Sequence, residues 1–406
     1  MKLDSLHVKS ILSVLLVLIS VVTLQAQLTW ETLDIPMSDG ENLAADVYLP
    51  SEDGDYPVIL IQTPYNKNSF HLALPLGIVW DLENSPYAFV VLDWRCFFGS
   101  ASACVELIDR GQDGFDAVEW IATQDWCNGK VATWGPSALG NIQYQTAQKQ
   151  PPSLVCCIPE VASPWTHFEQ YYPGGVALSS YIETLAGLFG DNSLILENPN
   201  YNALWQFVEQ ETMYPEDIEV PILLVAGWFD HNLREDFVML DTLRNASLLG
   251  EAHKMLVGPW VHGGVGPAHV GTEEQGELFF PYAAGTNIEI ERQFLDYHLF
   301  DEQNGWDDRE VITYFQMGSD EWRTTDVWPP EVTEDATYYM HAGLQWVPNE
   351  PEDDNYAISY SYDPTDPSPT IGGPTLSDLL EQGPYDQVPE VESRPDMYAI
   401  STTPQL

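Results

Sequence analysis

The stretch "WGPSALGNIQYQTA", residues Trp134 to Ala147, decides how the rest of the chain is interpreted. It places Ser137 between two glycines, directly after the apolar run "KVAT" and before a helical pattern. A strand, a sharp turn with small neighbours and a helix together form a nucleophile elbow, in which the turn exposes the serine hydroxyl at a helix N-terminus. The G-x-S pattern is frequent by chance, so taken alone it slightly favours a small loop residue over a nucleophile.

Short apolar runs alternate with helical patterns on both sides of this stretch. The runs are "YPVILIQTPY", "YAFVVLDWR", "KVATWGPS", "LVCCIPEV", "VPILLVAGWFD" and "HKMLVGPWVHG". Continuous apolar strands alternating with helices predict a largely parallel α/β sheet that is covered on both faces. In open sheets of this kind, active groups collect at the carboxyl ends of the strands.

The same alternation divides the chain. It stops at about residue 162 and resumes near 220, and the segment between them has helical patterns with Pro and Gly breaks. Beyond about Val311 the runs become short and β-like, with many Pro and Asp residues. We predict a signal peptide over 1–26, a sheet domain over 27–161 and 220–310, a helical cap over 162–219, and the incomplete start of a C-terminal β domain over 311–406.

Composition and the N-terminus restrict the partners and the location. The 406 residues include 14 Lys plus Arg against 62 Asp plus Glu, a net charge of -48. Such a surface repels phosphate backbones and excludes nucleic-acid binding. Lys2 and Lys9 precede the apolar run Ile11–Val22, which is typical of a signal-peptide core and short for a membrane span. We therefore expect a secreted or periplasmic protein with no membrane span after cleavage near Gln27.

The cysteines fit an oxidising compartment. Cys96 and Cys104 flank a loop of small residues and are candidates for a disulfide, and an odd total of five leaves at least one thiol unpaired. Cys156 and Cys157 lie in the apolar run "LVCCI", which predicts buried strand positions. No His or Cys cluster has zinc-site spacing, so we expect no metal and no cofactor.

Two further strand ends carry groups that suit a serine nucleophile. Asp230 ends "VAGWFD" and is a candidate to orient an imidazole, although a single Asp in a loop is more often a cap or turn residue. His262 follows a strand in "LVGPWVHGG", where a general base reaches a neighbouring loop. His231 adjoins Asp230 and is too near in sequence for an easy orienting hydrogen bond. The chain order Ser137, Asp230, His262 is that of an α/β-hydrolase.

A nucleophile of this type also needs an oxyanion hole, which usually supplies the largest single stabilisation. The backbone N–H of Ala138 is the natural first donor because it follows the serine. The hydroxyl of Tyr65, in "QTPYNKNSF" at the end of an early strand, is a candidate for the second donor. Taken alone, Tyr65 is more typical of an aromatic loop anchor.

Together these motifs resemble a known family. "TPYNK", "VVLDWRCFFGSAS", "WGPSALGNIQYQTA", "GWFD", "GPWVH" and the later "YFQMGSDEWRTTDVWPP", "YDPTDPSPTIGG" and "GPYDQ" are similar to the cocaine esterase and X-Pro dipeptidyl-peptidase group of serine hydrolases, which includes α-amino-acid ester hydrolases and glutaryl acylases. The resemblance implies an α/β-hydrolase domain, a helical cap and a C-terminal jelly-roll. It implies Ser137 as nucleophile, Asp230 as acid and His262 as base, with Tyr65 and Ala138 as the oxyanion hole.

The resemblance also implies a role for Trp165, which matches a cap tryptophan that lines the acyl pocket; ordinary cap packing is an equal alternative. The chain departs from the family at Cys96, which replaces the glycine of a D-x-R-G loop and favours the bridge to Cys104. The cap is short for the group, and the jelly-roll is expected to be truncated at Leu406.

The expected function is a secreted serine hydrolase that cleaves ester or amide bonds through an acyl-enzyme. Its partners would be a small ester or amide or a short peptide, and a homo-oligomer stays open. One alternative is X-Pro dipeptidyl-peptidase activity, in which acidic cap residues bind the substrate amine; the candidates are Glu169, Glu183 and Asp191. Another is a non-catalytic binding module on a hydrolase scaffold.

Overall fold

A computed structural model describes most of the chain after the N-terminal segment. The described residues are 28–78, 81–163, 166–190, 192–211, 214–263, 270–331, 335–341, 345–352, 357, 359–376 and 381–400. The predicted signal peptide, the cap carboxylate Asp191 and the pocket candidate Trp165 lie outside these residues.

A ten-stranded sheet forms the centre, in the order β1-β2-β4-β3-β5-β6-β7-β8-β11-β12. The run from β4 to β11 is parallel, and antiparallel strands flank it at both edges. This architecture confirms the predicted α/β class. The strands are β1 Glu31–Pro36, β2 Asn42–Tyr48, β3 Tyr56–Thr63, β4 Ala88–Asp93, β5 Cys127–Pro136, β6 Leu154–Glu160, β7 Leu223–Phe229, β8 Lys254–Val261, β9 Glu274–Gln275, β10 Leu278–Phe279, β11 Ile312–Gln316, β12 Glu321–Thr325, β13 Tyr339–His341 and β14 Gln345–Val347.

Helices cover both faces of this sheet. The α-helices are α1 Arg110–Ala122, α2 Ala138–Gln148, α3 Phe168–Tyr171, α4 Ser179–Phe189, α5 Ser193–Leu196, α6 Ala203–Glu211, α7 Leu233–Ala246 and α8 Thr286–Phe300. Those that pack on the sheet are α1, α2, α7 and α8, whereas α3 to α6 lie in the segment between β6 and β7. Successive strand residues point to opposite faces, so Val58 and Leu60 of β3 enter the core with α1 and α7. Ile59 and Ile61 enter the core with α8. Burial on both sides explains why these strands are continuously apolar.

The segment between β6 and β7 forms the helical insertion that carries α3 to α6. It has a small aromatic core of its own, formed by Phe168, Tyr171, Tyr172, Tyr181, Ile182 and Trp205. Stacked and edge-to-face rings fill this core, with the rings of Phe168 and Tyr172 stacked at 5.0 Å between centroids. The insertion therefore packs as a unit above the carboxyl ends of the strands.

The predicted domain boundary at residue 310 is wrong. β11 pairs in parallel with β8, with Tyr314 opposite Val257, and β12 closes the edge, so the main sheet continues to Thr325. The physical reason is burial: the residues of "ITYF" are all buried and cover part of the core, as the other parallel strands do. Beyond Thr325, the described residues include the β13–β14 hairpin and a π-helical turn at Val388–Glu392. The jelly-roll stays a prediction.

A disulfide joins Cys96 to Cys104, whose Cα atoms are 4.5 Å apart. The other three cysteines are buried and unpaired, and Cys156 and Cys157 lie on β6 as expected. In the part of the chain that the structure describes, no helix is both long and apolar enough to cross a bilayer.

Candidate active site

Ser137 occupies a strained turn between the end of β5 and the start of α2. Its backbone has φ 56° and ψ −124°, a conformation that a residue with a side chain adopts only under tertiary constraint. The flanking glycines make the turn possible. A Cβ at Gly135 would lie 2.5 Å from the Cβ of Leu139, and one at Gly140 would lie 2.3 Å from the Cβ of Ala162. The G-x-S-x-x-G spacing is therefore a packing requirement of an elbow.

His262 lies between the other two predicted residues. Its Nε2 is 2.9 Å from the Oγ of Ser137, and its Nδ1 is 2.7 Å from Oδ1 of Asp230. Asp230 and His262 are buried, whereas Ser137 is half-buried and lines a cavity. Three residues that are far apart in sequence thus form one hydrogen-bonded chain. It has the geometry of a proton relay that ends at an accessible hydroxyl.

Asp230 also contacts the imidazole of His231, which was predicted to be too near in sequence for an easy orienting hydrogen bond. His231 Nδ1 lies 3.1 Å from Oδ1 of Asp230, close enough for an ion pair but too poorly aligned for a hydrogen bond. Burial opposes the charge of Asp230, but the attraction of His262 and His231 outweighs it and holds the pKa of Asp230 well below its usual value. Burial lowers the pKa of His231, against the attraction of Asp230. Asp230 therefore stays ionised.

Tyr65 and Ala138 lie beside Ser137. Burial raises the pKa of the Tyr65 phenol, and a hydrogen bond with the Ser137 side chain partly opposes this. Tyr65 therefore keeps its proton at neutral pH and is able to donate it. Ala138 is the first residue of α2, where backbone N–H groups have no partner within the helix. Of the two donors predicted for an oxyanion hole, Tyr65 contacts the Ser137 side chain, and the Ala138 N–H follows Ser137 in the chain at the start of α2.

A cavity of about 720 Å³ opens onto Ser137 and runs along α2. The helical insertion supplies an aromatic wall that includes Tyr171, Tyr181 and Phe189. The ring of Phe189 lies 6.3 Å from that of Tyr65, so the insertion closes over the site. The volume suits a small molecule or a short peptide segment.

Asp230, His231 and His262 also form a group whose candidate metal-ligating atoms lie within 4.8 Å of one another. Both ring nitrogens of His262 face partners, however, namely the carboxylate of Asp230 and the hydroxyl of Ser137. A metal ion on His262 would displace one of these contacts. The arrangement therefore suits proton transfer better than metal binding.

Sequence reasoning missed two groups that support the site. Asn232, at the start of α7, donates from Nδ2 to the carbonyl oxygen of Val161 at 2.9 Å. Glu160 ends β6 with a buried carboxyl group, and Glu291 of α8 lies beside it. Trp134 donates to the Glu291 carboxyl at 3.0 Å. The sequence contained a signal for Glu160, because it is a carboxylate at the end of an apolar strand run, as Asp230 is.

Comparison with known proteins identifies the family. The sequence profile of the X-Pro dipeptidyl-peptidase (S15) family matches residues 39–192 and 183–264, which together make up more than half of the chain. The chain belongs to the S15 family. It is accordingly a serine hydrolase.

Relatives of this S15 protein are distant in sequence. It is 26% identical to the cocaine esterase of Rhodococcus sp. (strain MB1 Bresler), in an alignment that covers 91% of this chain and 73% of that protein. An aminopeptidase from a marine sediment archaeon, Thaumarchaeota archaeon, superimposes with a TM-score of 0.66 at 20% identity, covering 87% of this chain and 67% of the other. An α-amino acid ester hydrolase superimposes with a TM-score of 0.65 at 19% identity, covering 87% and 69%. The structural matches bear out the α/β-hydrolase fold.

Proposed function

We propose that this S15 protein is a secreted hydrolase that cleaves ester or amide bonds through an acyl-enzyme on Ser137. The observation that carries the proposal is the hydrogen-bonded chain in which His262 links the Ser137 hydroxyl, at 2.9 Å, to the Asp230 carboxylate, at 2.7 Å. The strained backbone of Ser137 supports it further, since such strain persists at functional sites where the surrounding structure maintains it.

The proposed reaction has two halves. His262 Nε2 accepts the Ser137 proton as Oγ attacks the substrate carbonyl carbon, and Asp230 stabilises the imidazolium that forms. The carbonyl oxygen becomes an oxyanion that accepts hydrogen bonds from the Tyr65 hydroxyl and the Ala138 N–H. The intermediate collapses as His262 gives its proton to the leaving oxygen or nitrogen. Water, activated by the same imidazole, then releases the acid and restores Ser137.

Ester hydrolysis is favoured over X-Pro dipeptidyl-peptidase activity because a dipeptidase also has to bind a free amine. Glu169 and Glu183 are exposed and do not line the described cavity. Glu169 instead accepts a hydrogen bond from the N–H of Gly174, at 3.0 Å. Of the carboxylates that line the cavity, Asp109 is paired with Lys149 at 2.6 Å, and Asp217 is exposed to solvent. Comparing rates on Ala-Pro-p-nitroanilide and on simple p-nitrophenyl esters separates the two activities.

Secretion is part of the proposal. The segment Ile11–Val22 after two lysines supports it, and so does the disulfide between Cys96 and Cys104, since such bonds persist in oxidising compartments. N-terminal sequencing of the protein recovered outside the cytoplasm tests it. A mature N-terminus near Gln27 is expected, and an intact Met1 would contradict it.

The decisive experiment replaces the nucleophile. Ser137→Ala is expected to lower hydrolysis of p-nitrophenyl acetate by at least about a thousandfold and to abolish labelling by a fluorophosphonate probe, with folding unchanged. Ser319→Ala, in an exposed loop, is the matched control and should keep both properties. Undiminished turnover in Ser137→Ala would refute the assignment. Absence of labelling in the folded wild type would favour a non-catalytic binding module.

A further inference from the structure

Arg110 stands out among the residues that line the cavity. The chain has 14 Lys and Arg residues against 62 acidic ones, and Arg110 lines the same cavity as Ser137. It is the first residue of α1 and is half-buried. A half-buried cation that lines a cavity needs a physical explanation, because burial removes part of the hydration that stabilises a charge.

The contacts of Arg110 hold its guanidinium in place but do not neutralise it. The guanidinium carbon lies 4.7 Å from the centroid of the Trp94 ring, and Nη1 donates to the carbonyl oxygen of Arg95 at 3.2 Å. Among the residues that the structure describes, Arg110 forms no ion pair with a carboxylate. Stacking and a carbonyl contact orient a guanidinium while leaving its remaining N–H groups available.

The carboxylates nearest to Arg110 in sequence are already paired. Asp113 accepts from Arg95 Nη2 at 2.6 Å, and Asp109 accepts from Lys149 Nζ at 2.6 Å. Burial lowers the pKa of Arg110, and the charge of Asp113, which is paired with Arg95, opposes this only in part. An arginine keeps its charge in any case, so the partly desolvated cation would be stabilised by an anion that entered the cavity.

The chain at Arg110 lies beside α2, the helix that begins directly after the nucleophile. The neighbouring residue Gly111 packs against α2, where an added Cβ would lie 2.6 Å from the carbonyl oxygen of Gln145. Ala138, Asn141 and Gln145 line the cavity along one face of α2. At 1.5 Å per residue, the step from Ala138 to Gln145 spans about 10 Å. A substrate that reaches both Ser137 and Arg110 therefore extends through the cavity that both residues line.

We infer that Arg110 determines specificity by binding a carboxylate group of the substrate, at a point of the cavity away from the carbonyl that Ser137 attacks. The inference rests on the proposed function. The substrate class is then an extended ester or amide with a remote carboxylate, on either the acyl or the leaving-group side. Because the net charge of -48 repels anions at long range, short-range recognition by Arg110 is what would select this class.

Two substrate series test the inference. The first is the mono-p-nitrophenyl esters of succinic, adipic, suberic and sebacic acids, each compared with its methyl-capped form. The second is the acetate esters of ω-hydroxy acids of matching length, each compared with its methyl ester and followed by acid release. Wild type is expected to prefer at least one chain length of carboxylate over its capped form in one series, which tells whether the carboxylate lies on the acyl or the leaving-group side.

Arg110→Gln is expected to lower kcat/KM for the preferred carboxylate ester by about tenfold or more, with the capped ester nearly unaffected. Arg110→Lys, which keeps the charge but loses the planar fork, should retain an intermediate preference. Arg323→Gln, on the exposed strand β12, is the control and should leave the ratio of the two rates unchanged.

The inference is overturned if wild type prefers the capped esters in both series, or if Arg110→Gln leaves the ratio unchanged. Either result would accompany normal, Ser137-dependent hydrolysis of the capped esters. Failure of the proposed function is distinguishable, because hydrolysis would then persist in Ser137→Ala.

Discussion

The backbone N–H of Ser137 donates to the carbonyl oxygen of Glu160 at 2.9 Å. This bond ties the elbow to the end of β6, and the next residue, Val161, accepts from the Asn232 side chain at 2.9 Å. The end of β6 therefore supports both the turn that carries Ser137 and the turn that carries Asp230. The relay depends on this support, because its two ends come from different loops.

The first prediction concerns the buried carboxyl group of Glu160. Burial and the neighbouring Glu291 carboxylate raise the pKa of Glu160 well above its ordinary value of 4.5. A raised pKa contributes stability that is complete below the unfolded value and is lost as the pH rises through the folded value. Glu160→Gln, which stays neutral and keeps the shape, should therefore lose less stability than wild type between about pH 5 and pH 8.

Thermal unfolding measured across this pH range tests the prediction. Glu251→Gln, at an exposed position, is the control and should follow the wild-type pH dependence. Parallel curves for Glu160→Gln and wild type would show that the Glu160 carboxyl group does not titrate differently on folding.

The second prediction compares two helical glycines. An added Cβ at Gly140 of α2 would lie 2.3 Å from the Cβ of Ala162, whereas one at Gly187 of α4 meets nothing within 4 Å. Gly140→Ala should destabilise the fold by about 1–3 kcal/mol and displace the elbow, with a loss of activity. Gly187→Ala should stabilise by up to about 1 kcal/mol, since Ala favours helix over Gly. Chemical denaturation measures both; equal effects would contradict the packing argument.

The third prediction concerns the disulfide loop. Cys96 has φ 73°, a conformation that favours glycine, and a disulfide joins it to Cys104. Removing this bond by Cys96→Ser with Cys104→Ser should lower the free energy of unfolding by about 2 kcal/mol. Cys96→Gly with Cys104→Ser should recover roughly 1 kcal/mol of that loss, because glycine adopts positive φ without steric penalty. Denaturant midpoints of the two double variants test this prediction. Identical midpoints would contradict the expected advantage of glycine at position 96.

The fourth prediction separates the two histidines that contact Asp230. Asp230→Asn should lower kcat by about 10⁴, because the amide neither stabilises the imidazolium nor holds the correct tautomer. His231→Gln should lower kcat much less, since His231 Nδ1 has no aligned hydrogen-bond partner within the described part of the chain and it is His262 that contacts the Ser137 hydroxyl. Steady-state kinetics at neutral pH measure both. If kcat fell further in His231→Gln than in Asp230→Asn, the result would indicate that His231, and not His262, acts as the base.

Much of the site was predictable from local signals. Ser137, Asp230 and His262 each follow a continuous apolar run, and the carboxyl ends of parallel strands meet at one edge of a sheet. The contact between Asp230 and His231 was not predictable, because it depends on how one turn folds back on itself. Nor was the place of β11: its short run resembles a new β domain until its pairing with β8 is known.

Local sequence patterns were enough to predict the alternation of strands and helices, the elbow around Ser137 and the order of the three relay residues. These are local patterns of burial and turn chemistry that each segment carries within itself. Three relationships required the folded chain: Ser137 and His262 are 2.9 Å apart, Glu160 lies against Glu291, and Arg110 shares the cavity with Ser137 without a carboxylate partner among the described residues. These relationships join residues far apart in the chain, and strand order and helix packing set them.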